Sequence, residues 1–151
     1  MFAVPPNTIA LTGTPASAHP ALIARQYAVE RFRWVDLLRY DPAERFATLV
    51  DRTAEQEVWL MGWLPGQATD PHDHGPATGA FVIVSGSLTE RVVRPGSATE
   101  ELHLLRQGQT RVFGLGYTHR VHNGGPDPAV SIHVYRSARP RGGGHSVDPV
   151  I

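Results

Sequence analysis

From Pro20 to about Tyr40 the apolar positions Leu22, Ile23, Tyr27, Phe32, Val35 and Leu38 recur at roughly helical spacing, which predicts a helix there. Asp41-Pro42 predicts a second short helix through Ala43-Glu44-Arg45, since proline suits a first helical turn. The texture then changes to short apolar runs closed by Gly or Pro. Glu57 to Leu64 stops at Pro65-Gly66, Ala80 to Val84 at Ser85-Gly86, and Leu88 to Val93 at Pro95-Gly96. Glu101 to Leu105 stops near Gly108, Thr110 to Phe113 stops at Gly114, and Val130 to Tyr135 precedes a tail rich in Pro and Gly. Runs of this length, so punctuated, predict strands of an antiparallel sandwich or small barrel. No helix long enough for a crossover separates them, which disfavours a parallel sheet.

The chain has 151 residues, which suits a single hydrophobic core. Residues 1–18, rich in Pro, Ala, Ser and Thr, read as a flexible arm, residues 19–138 as the domain, and residues 139–151 as a Gly/Pro-rich tail. Fourteen Lys and Arg balance fourteen Asp and Glu without a basic run, so neither nucleic acid nor an anionic membrane is expected as a partner. No apolar stretch approaches a membrane span, and no signal-peptide pattern opens the sequence, so the cytoplasm is the expected location. Cysteine is absent, which removes disulfides, thiolate metal sites and cysteine nucleophiles. Any bound metal must use nitrogen and oxygen ligands. That directs attention to the eight histidines, His19, His72, His74, His103, His119, His122, His133 and His145.

Two segments stand out. The first runs Gly66, five residues, His72-Asp73-His74, four residues, Gly79, six residues, Gly86. On a strand, residues two apart share a side, so both imidazoles can meet at one point inside a barrel. Taken alone, the pair could as well be polar residues on a surface loop beside Asp70, Pro71 and Asp73. The second segment runs Gly108, five residues, Gly114-Leu115-Gly116-Tyr117-Thr118-His119-Arg120-Val121-His122-Asn123. Together the segments resemble the paired motifs of the cupin superfamily, with Gly79 where many cupins carry a glutamate ligand and Gly114 where they often carry proline. The resemblance implies a mainly β fold, a single cupin (jelly-roll, double-stranded β-helix) barrel with short N-terminal helices. His119 and His122 differ by three positions and face opposite sides of a strand, so only one can join His72 and His74. The cupin spacing selects His119 and leaves His122 outside the barrel.

Three neutral imidazoles leave the full charge of a divalent ion uncompensated, which favours an anionic outside ligand such as a thiolate or carboxylate. Three-histidine sites also hold catalytic zinc, so the ligands alone do not name the metal. A metallo-cupin isomerase or hydrolase using a Lewis acid therefore stands beside oxygen chemistry. In Val130-Ser131-Ile132-His133-Val134-Tyr135, the apolar residues face one way and Ser131, His133 and Tyr135 the other. That second face is either the solvent side of a half-buried strand or a row lining the barrel.

His72-Asp73-His74, Gly116 to Asn123, and Ala129 to Tyr135 closely resemble the cysteine dioxygenase family of thiol dioxygenases, over roughly residues 40–138. The resemblance implies Fe(II) held by His72, His74 and His119, with a small thiol and O2 as substrates and a sulfinic acid as product. L-Cysteine is the leading substrate, and 3-mercaptopropionate or another small thiol the alternative. Ser131, His133 and Tyr135 match the family's Ser-His-Tyr row, with Tyr135 beside the substrate. Two departures follow. Some members join the tyrosine covalently to a cysteine, but Gly79 stands at that position. Cysteine-specific members also grip the substrate carboxylate with an Arg on the early strand, where alignment of Leu49-Val50-Asp51 puts Ala47 or Thr48. Arg45, two residues from Ala47 and on the same side of an extended segment, is the nearest substitute, although it could equally be an exposed helix residue. Arg52, Arg136, Arg139 and Arg141 are further candidates. His103 is expected to be structural or exposed, and His19 and His145 have no assigned role.

Overall fold

The computed structural model describes residues 18–137. Most of the flexible arm and all of the Gly/Pro-rich tail expected from the sequence therefore lie outside the described residues. Helix α1 spans Pro20–Val29, with His19 as its N-cap accepting a hydrogen bond from the Ala21 amide through Nδ1 at 3.1 Å. The helix ends at Val29, about three turns before the Tyr40 limit that the apolar spacing suggested, and two short 3-10 turns follow, Arg31–Arg33 and Val35–Leu37. Trp34 accounts for the reversal. Its buried indole Nε1 donates to the carbonyl of Tyr27 at 2.7 Å, capturing an acceptor that another helical turn would need. Phe32, counted above in the helical stripe, is left 80% exposed.

The helix expected over 41–45 is corrected. Asp41 instead accepts the Ala43 amide on Oδ1 at 2.8 Å, and the chain bends directly into a strand. Aspartate so placed favours a local turn closed by its own side chain.

Eight strands follow: β1 Phe46–Arg52, β2 Gln56–Trp63, β3 Thr78–Ser85, β4 Ser87–Val93, β5 Glu100–Arg106, β6 Thr110–Phe113, β7 Thr118–His122 and β8 Ala129–Arg136. They form a five-stranded sheet in the order β1-β2-β8-β3-β6 and a three-stranded sheet in the order β5-β4-β7. All pairs are antiparallel. This is the double-stranded β-helix of a cupin.

Alternation along the strands divides the apolar residues between two cores. Met61, Trp63, Phe81, Ile83, Leu88, Val92, Phe113, Val121 and Tyr135 fill the space between the sheets. Val58, Leu60, Val82, Val130, Ile132 and Val134 lie on the other face, under Ala24 and Tyr27 of α1 and under Trp34. The outer face of β8 is thus covered by the N-terminal segment, and its inner face turns towards the barrel. Both faces of a central strand are buried, as the burial of Ala129 to Tyr135 shows. Among the described residues, no helix is long and apolar enough to cross a membrane.

Candidate metal centre

His72 and His74 sit on the connection between β2 and β3, not on a regular strand. Only His72 pairs with a strand, through an isolated bridge to His119 on β7. Its amide donates to the His119 carbonyl at 3.0 Å, and the His119 amide returns the bond at 2.9 Å. The turn after His74 is set by Asp73, whose Oδ1 accepts the Gly75 amide at 2.7 Å, while Gly75 takes a positive φ of 57°. Extended geometry would have given the histidine pair a common side. Here the local turn brings about the convergence.

The ligand nitrogens of His72, His74 and His119 all lie within 4.8 Å of one another. Nε2 of His74 and Nε2 of His119 are 3.1 Å apart. Two nitrogens each about 2.1 Å from one ion, at a right angle, would be about 3.0 Å apart, so this spacing fits neighbouring ligands. The second ring nitrogens of His72 and His119 are already engaged. His72 Nδ1–H donates to the Asp70 carbonyl at 2.7 Å, and His119 Nδ1–H donates to Glu90 Oε2 at 2.8 Å. Both bonds fix the tautomer that leaves Nε2 free as a ligand. Burial holds the pKa of His72 below its usual value and, aided by the two neighbouring histidines, lowers that of His74 to about 3. Both are therefore neutral imidazoles near pH 7, as metal ligands must be. His119 is buried, whereas His72 and His74 are half-buried, so the site is open on one side.

Gly79 supplies no ligand, and its backbone leaves no room for one. A Cβ there would run into the carbonyl oxygen of Val134 and would lie 2.6 Å from Cζ of Phe113. The Phe113 ring packs against His74 at 4.4 Å between centroids and against Tyr135 at 5.7 Å. The donor set is three imidazoles with open positions. Such a set suits a divalent transition metal rather than magnesium or calcium, which prefer oxygen.

Little in the amino-acid pattern announces the group behind His119. Glu90 is fully buried. It accepts Arg111 Nε on Oε1 at 2.8 Å, and Tyr117 Oη and His119 Nδ1 on Oε2 at 3.0 and 2.8 Å. Arg111 also donates to the Tyr117 oxygen at 3.1 Å. Burial alone would raise the pKa of Glu90, but the hydrogen bonds from His119 and Arg111 and their proximity outweigh it and hold the carboxyl below its usual value. One signal was present. In Leu88-Thr89-Glu90-Arg91-Val92, strict alternation puts a carboxylate on the apolar, inward face.

Ser131, His133 and Tyr135 lie inside the barrel and are buried, which excludes the solvent-facing reading of the row. Ser131 Oγ is 2.8 Å from His133 Nε2, and His133 Nδ1 is 3.4 Å from the Tyr135 hydroxyl. Trp63 Nε1, which sequence reading had not singled out, donates to Ser131 Oγ at 2.9 Å. Tyr135 approaches the metal ligands, its ring centroid 5.0 Å from that of His74. Burial lowers the pKa of His133 well below its usual value and raises that of Tyr135, so both are neutral near pH 7.

Arg45 is not on a helix. It immediately precedes β1, its guanidinium carbon lies 5.0 Å from the centre of the Trp63 ring, and its buried Nε has no hydrogen-bond partner among the described residues. Burial lowers its pKa, and its positive charge bears on His72, His133 and Tyr135. Arg52 pairs with Glu57 at 2.9 Å. Arg136 donates through Nη2 to Gln56 and to the Ala18 carbonyl, which holds its guanidinium on the protein, although its buried Nε, like that of Arg45, has no partner among the described residues. Arg139 and Arg141 lie outside the described residues. His122 is half-buried on the outer face with Arg91 and Arg120, which with burial hold its pKa down, and His103 pairs with Glu101.

A family model described as cysteine dioxygenase type I matches residues 18–141. The chain belongs to this family. As in other thiol dioxygenases of the family, the trihistidine centre is an Fe(II) site, and the activity is thiol dioxygenation. Solved structures agree on the fold. TT1209 from Thermus thermophilus superposes with a TM-score of 0.60 at 26% identity, covering 68% of this chain and 92% of that one. A double-stranded β-helix domain protein from Klebsiella pneumoniae gives 0.60 at 20% identity, covering 71% and 89%. KdgF from Halomonas gives 0.56 at 19% identity, covering 69% and 92%.

Proposed function

We propose that this cysteine dioxygenase family member oxidises a small thiol carboxylate, with L-cysteine the leading substrate and 3-mercaptopropionate next, and that Arg45 binds the carboxylate. The observation that carries this reading is the buried, unpaired Nε of Arg45 above Trp63. A buried guanidinium N–H without an acceptor is costly, and a substrate carboxylate would supply one in a charge-assisted pair. Of Ala47 and Thr48, the two residues at the position where the family's arginine is expected, neither can bind a carboxylate as an arginine does, and Ala47 packs against the barrel core.

Bound Fe(II) would supply open positions for the thiolate and for O2. The balance is simple: RSH and O2 give RSO2H, with both oxygen atoms on sulfur. The protein's contribution is orientation. The Trp63 indole occupies one lone pair of Ser131, so the Ser131 proton is best directed to His133 Nε2. The neutral ring then carries its proton on Nδ1, facing the Tyr135 oxygen. This arrangement leaves the one unsatisfied hydrogen on the phenol rather than on the sealed Ser131. Tyr135 is then a donor to bound substrate or oxygen, and Ser131 and His133 hold it there. The reducing cytoplasm, which keeps iron ferrous, suits such a centre.

The test is oxygen uptake by iron-loaded protein with L-cysteine, 3-mercaptopropionate and cysteamine. The two carboxylates should be turned over in preference to cysteamine, which has none. Equal or better turnover of cysteamine would refute the carboxylate reading.

A further inference from the structure

The residues behind His119 have a role beyond filling the barrel. A site of three neutral imidazoles places no negative charge on the metal, whereas a two-histidine, one-carboxylate site places one there directly. With Gly79 in place, no carboxylate at that position can touch the metal. A carboxylate nevertheless stands one bond further out. Glu90 on β4 is the cross-strand partner of Val121, and Val92 is the partner of His119, so Glu90 lies diagonally across from the ligand histidine on the inward face. Its Oε2 accepts the His119 Nδ1–H at 2.8 Å.

We propose that Glu90 is a positioning residue that lends its negative charge to the metal through His119, and that Arg111 and Tyr117 set how much of that charge is delivered.

The geometry separates these roles. Arg111 binds the far oxygen, Oε1, and its side chain is 23% exposed, so solvent screens its charge more than that of the fully buried Glu90. Tyr117 shares Oε2 with His119 and competes for the same electron density. Arg111 lies on β6 of the five-stranded sheet and Glu90 on the three-stranded one, so their ion pair also ties the sheets together across the barrel. A carboxylate accepting the outer N–H of a ligand imidazole makes the ring a stronger donor and fixes its orientation. A fully buried carboxylate is expensive to keep, and its three donors are what make it tolerable.

The proposal rests on the trihistidine metal site but not on the thiol chemistry, because its test uses no thiol. Iron affinity and the Fe(III)/Fe(II) midpoint potential are measured for wild type, Glu90→Gln, Glu90→Asp and Tyr117→Phe. Glu90→Gln keeps an acceptor but loses the charge. It should weaken Fe(II) binding about 10- to 100-fold and raise the midpoint, and Glu90→Asp should recover part of both. Tyr117→Phe frees Oε2 for His119 and should lower the midpoint, opposite to Glu90→Gln. A purely structural role would lower melting temperature without opposed shifts in potential. Folded Glu90→Gln with wild-type affinity and midpoint would overturn the proposal, as would both variants shifting the potential the same way. If Glu90→Gln does not fold, Tyr117→Phe decides alone: a lower midpoint supports the proposal, and an unchanged or higher one overturns it.

Discussion

Gly79 on β3 and Phe113 on β6 are antiparallel partners, and the Phe113 ring fills the space that any side chain at position 79 would need. The same ring packs on ligand His74 and on Tyr135. The missing fourth ligand is therefore a packed feature of the barrel. Gly79→Ala should destabilise the protein by about 1–3 kcal/mol through overpacking. Thermal unfolding checks this, and a melting temperature equal to wild type would show that the strands yield freely.

Tyr135→Phe removes the hydroxyl at the end of the Ser131–His133 row while keeping the ring that packs on His74 and Phe113. A hydrogen bond to a charged group contributes about 1.5–3 kcal/mol, so kcat should fall on the order of 10-fold or more. Iron content should be unchanged. Steady-state kinetics with metal analysis distinguish this from a variant that merely loses its metal.

Arg45→Met keeps much of the apolar stem over Trp63 and removes the cation. With a thiol carboxylate, kcat/KM should drop about 10- to 100-fold, the cost of a charge-assisted contact. Turnover of cysteamine should change little. A parallel loss with both substrates would place Arg45 outside the carboxylate contact.

Tyr27 tests the packing of the N-terminal segment. Its hydroxyl donates to Asp51 Oδ2 at 2.9 Å, and burial together with that bond raises its pKa. A phenol whose pKa is higher folded than unfolded contributes stability that is intact below the unfolded pKa, about 10, and is lost as pH rises through the folded pKa. Denaturation curves from pH 8 to 11 should show wild type losing its advantage over Tyr27→Phe at the alkaline end. A constant difference across that range would contradict the linkage.

The strands around the site were legible because their apolar runs are short and end at Gly or Pro, and β2, β3, β4, β5, β6 and β8 fall within a residue or two of those limits. The two strands invisible to apolar patterning are polar or peripheral. β1 is an edge strand with no buried residue, and β7 alternates His119 and Val121 inward with Arg120 outward. The helix read through Tyr40 failed because the Trp34 indole takes the Tyr27 carbonyl, a tertiary contact that helical spacing cannot reveal. The metal ligands were legible through spacing and family resemblance. Glu90, Arg111, Tyr117 and Trp63 were not, since what they do depends on which strands lie side by side.

The most direct measurement is isotopic. Iron-loaded protein is given a small thiol under oxygen-18 gas, and the product is weighed by mass spectrometry. Sulfinic acid carrying two oxygen-18 atoms, with both product and bound iron lost in His74→Ala, is the predicted result. Oxygen taken from water, no thiol-dependent product, or full activity without that histidine would contradict thiol dioxygenation at the His72, His74 and His119 centre.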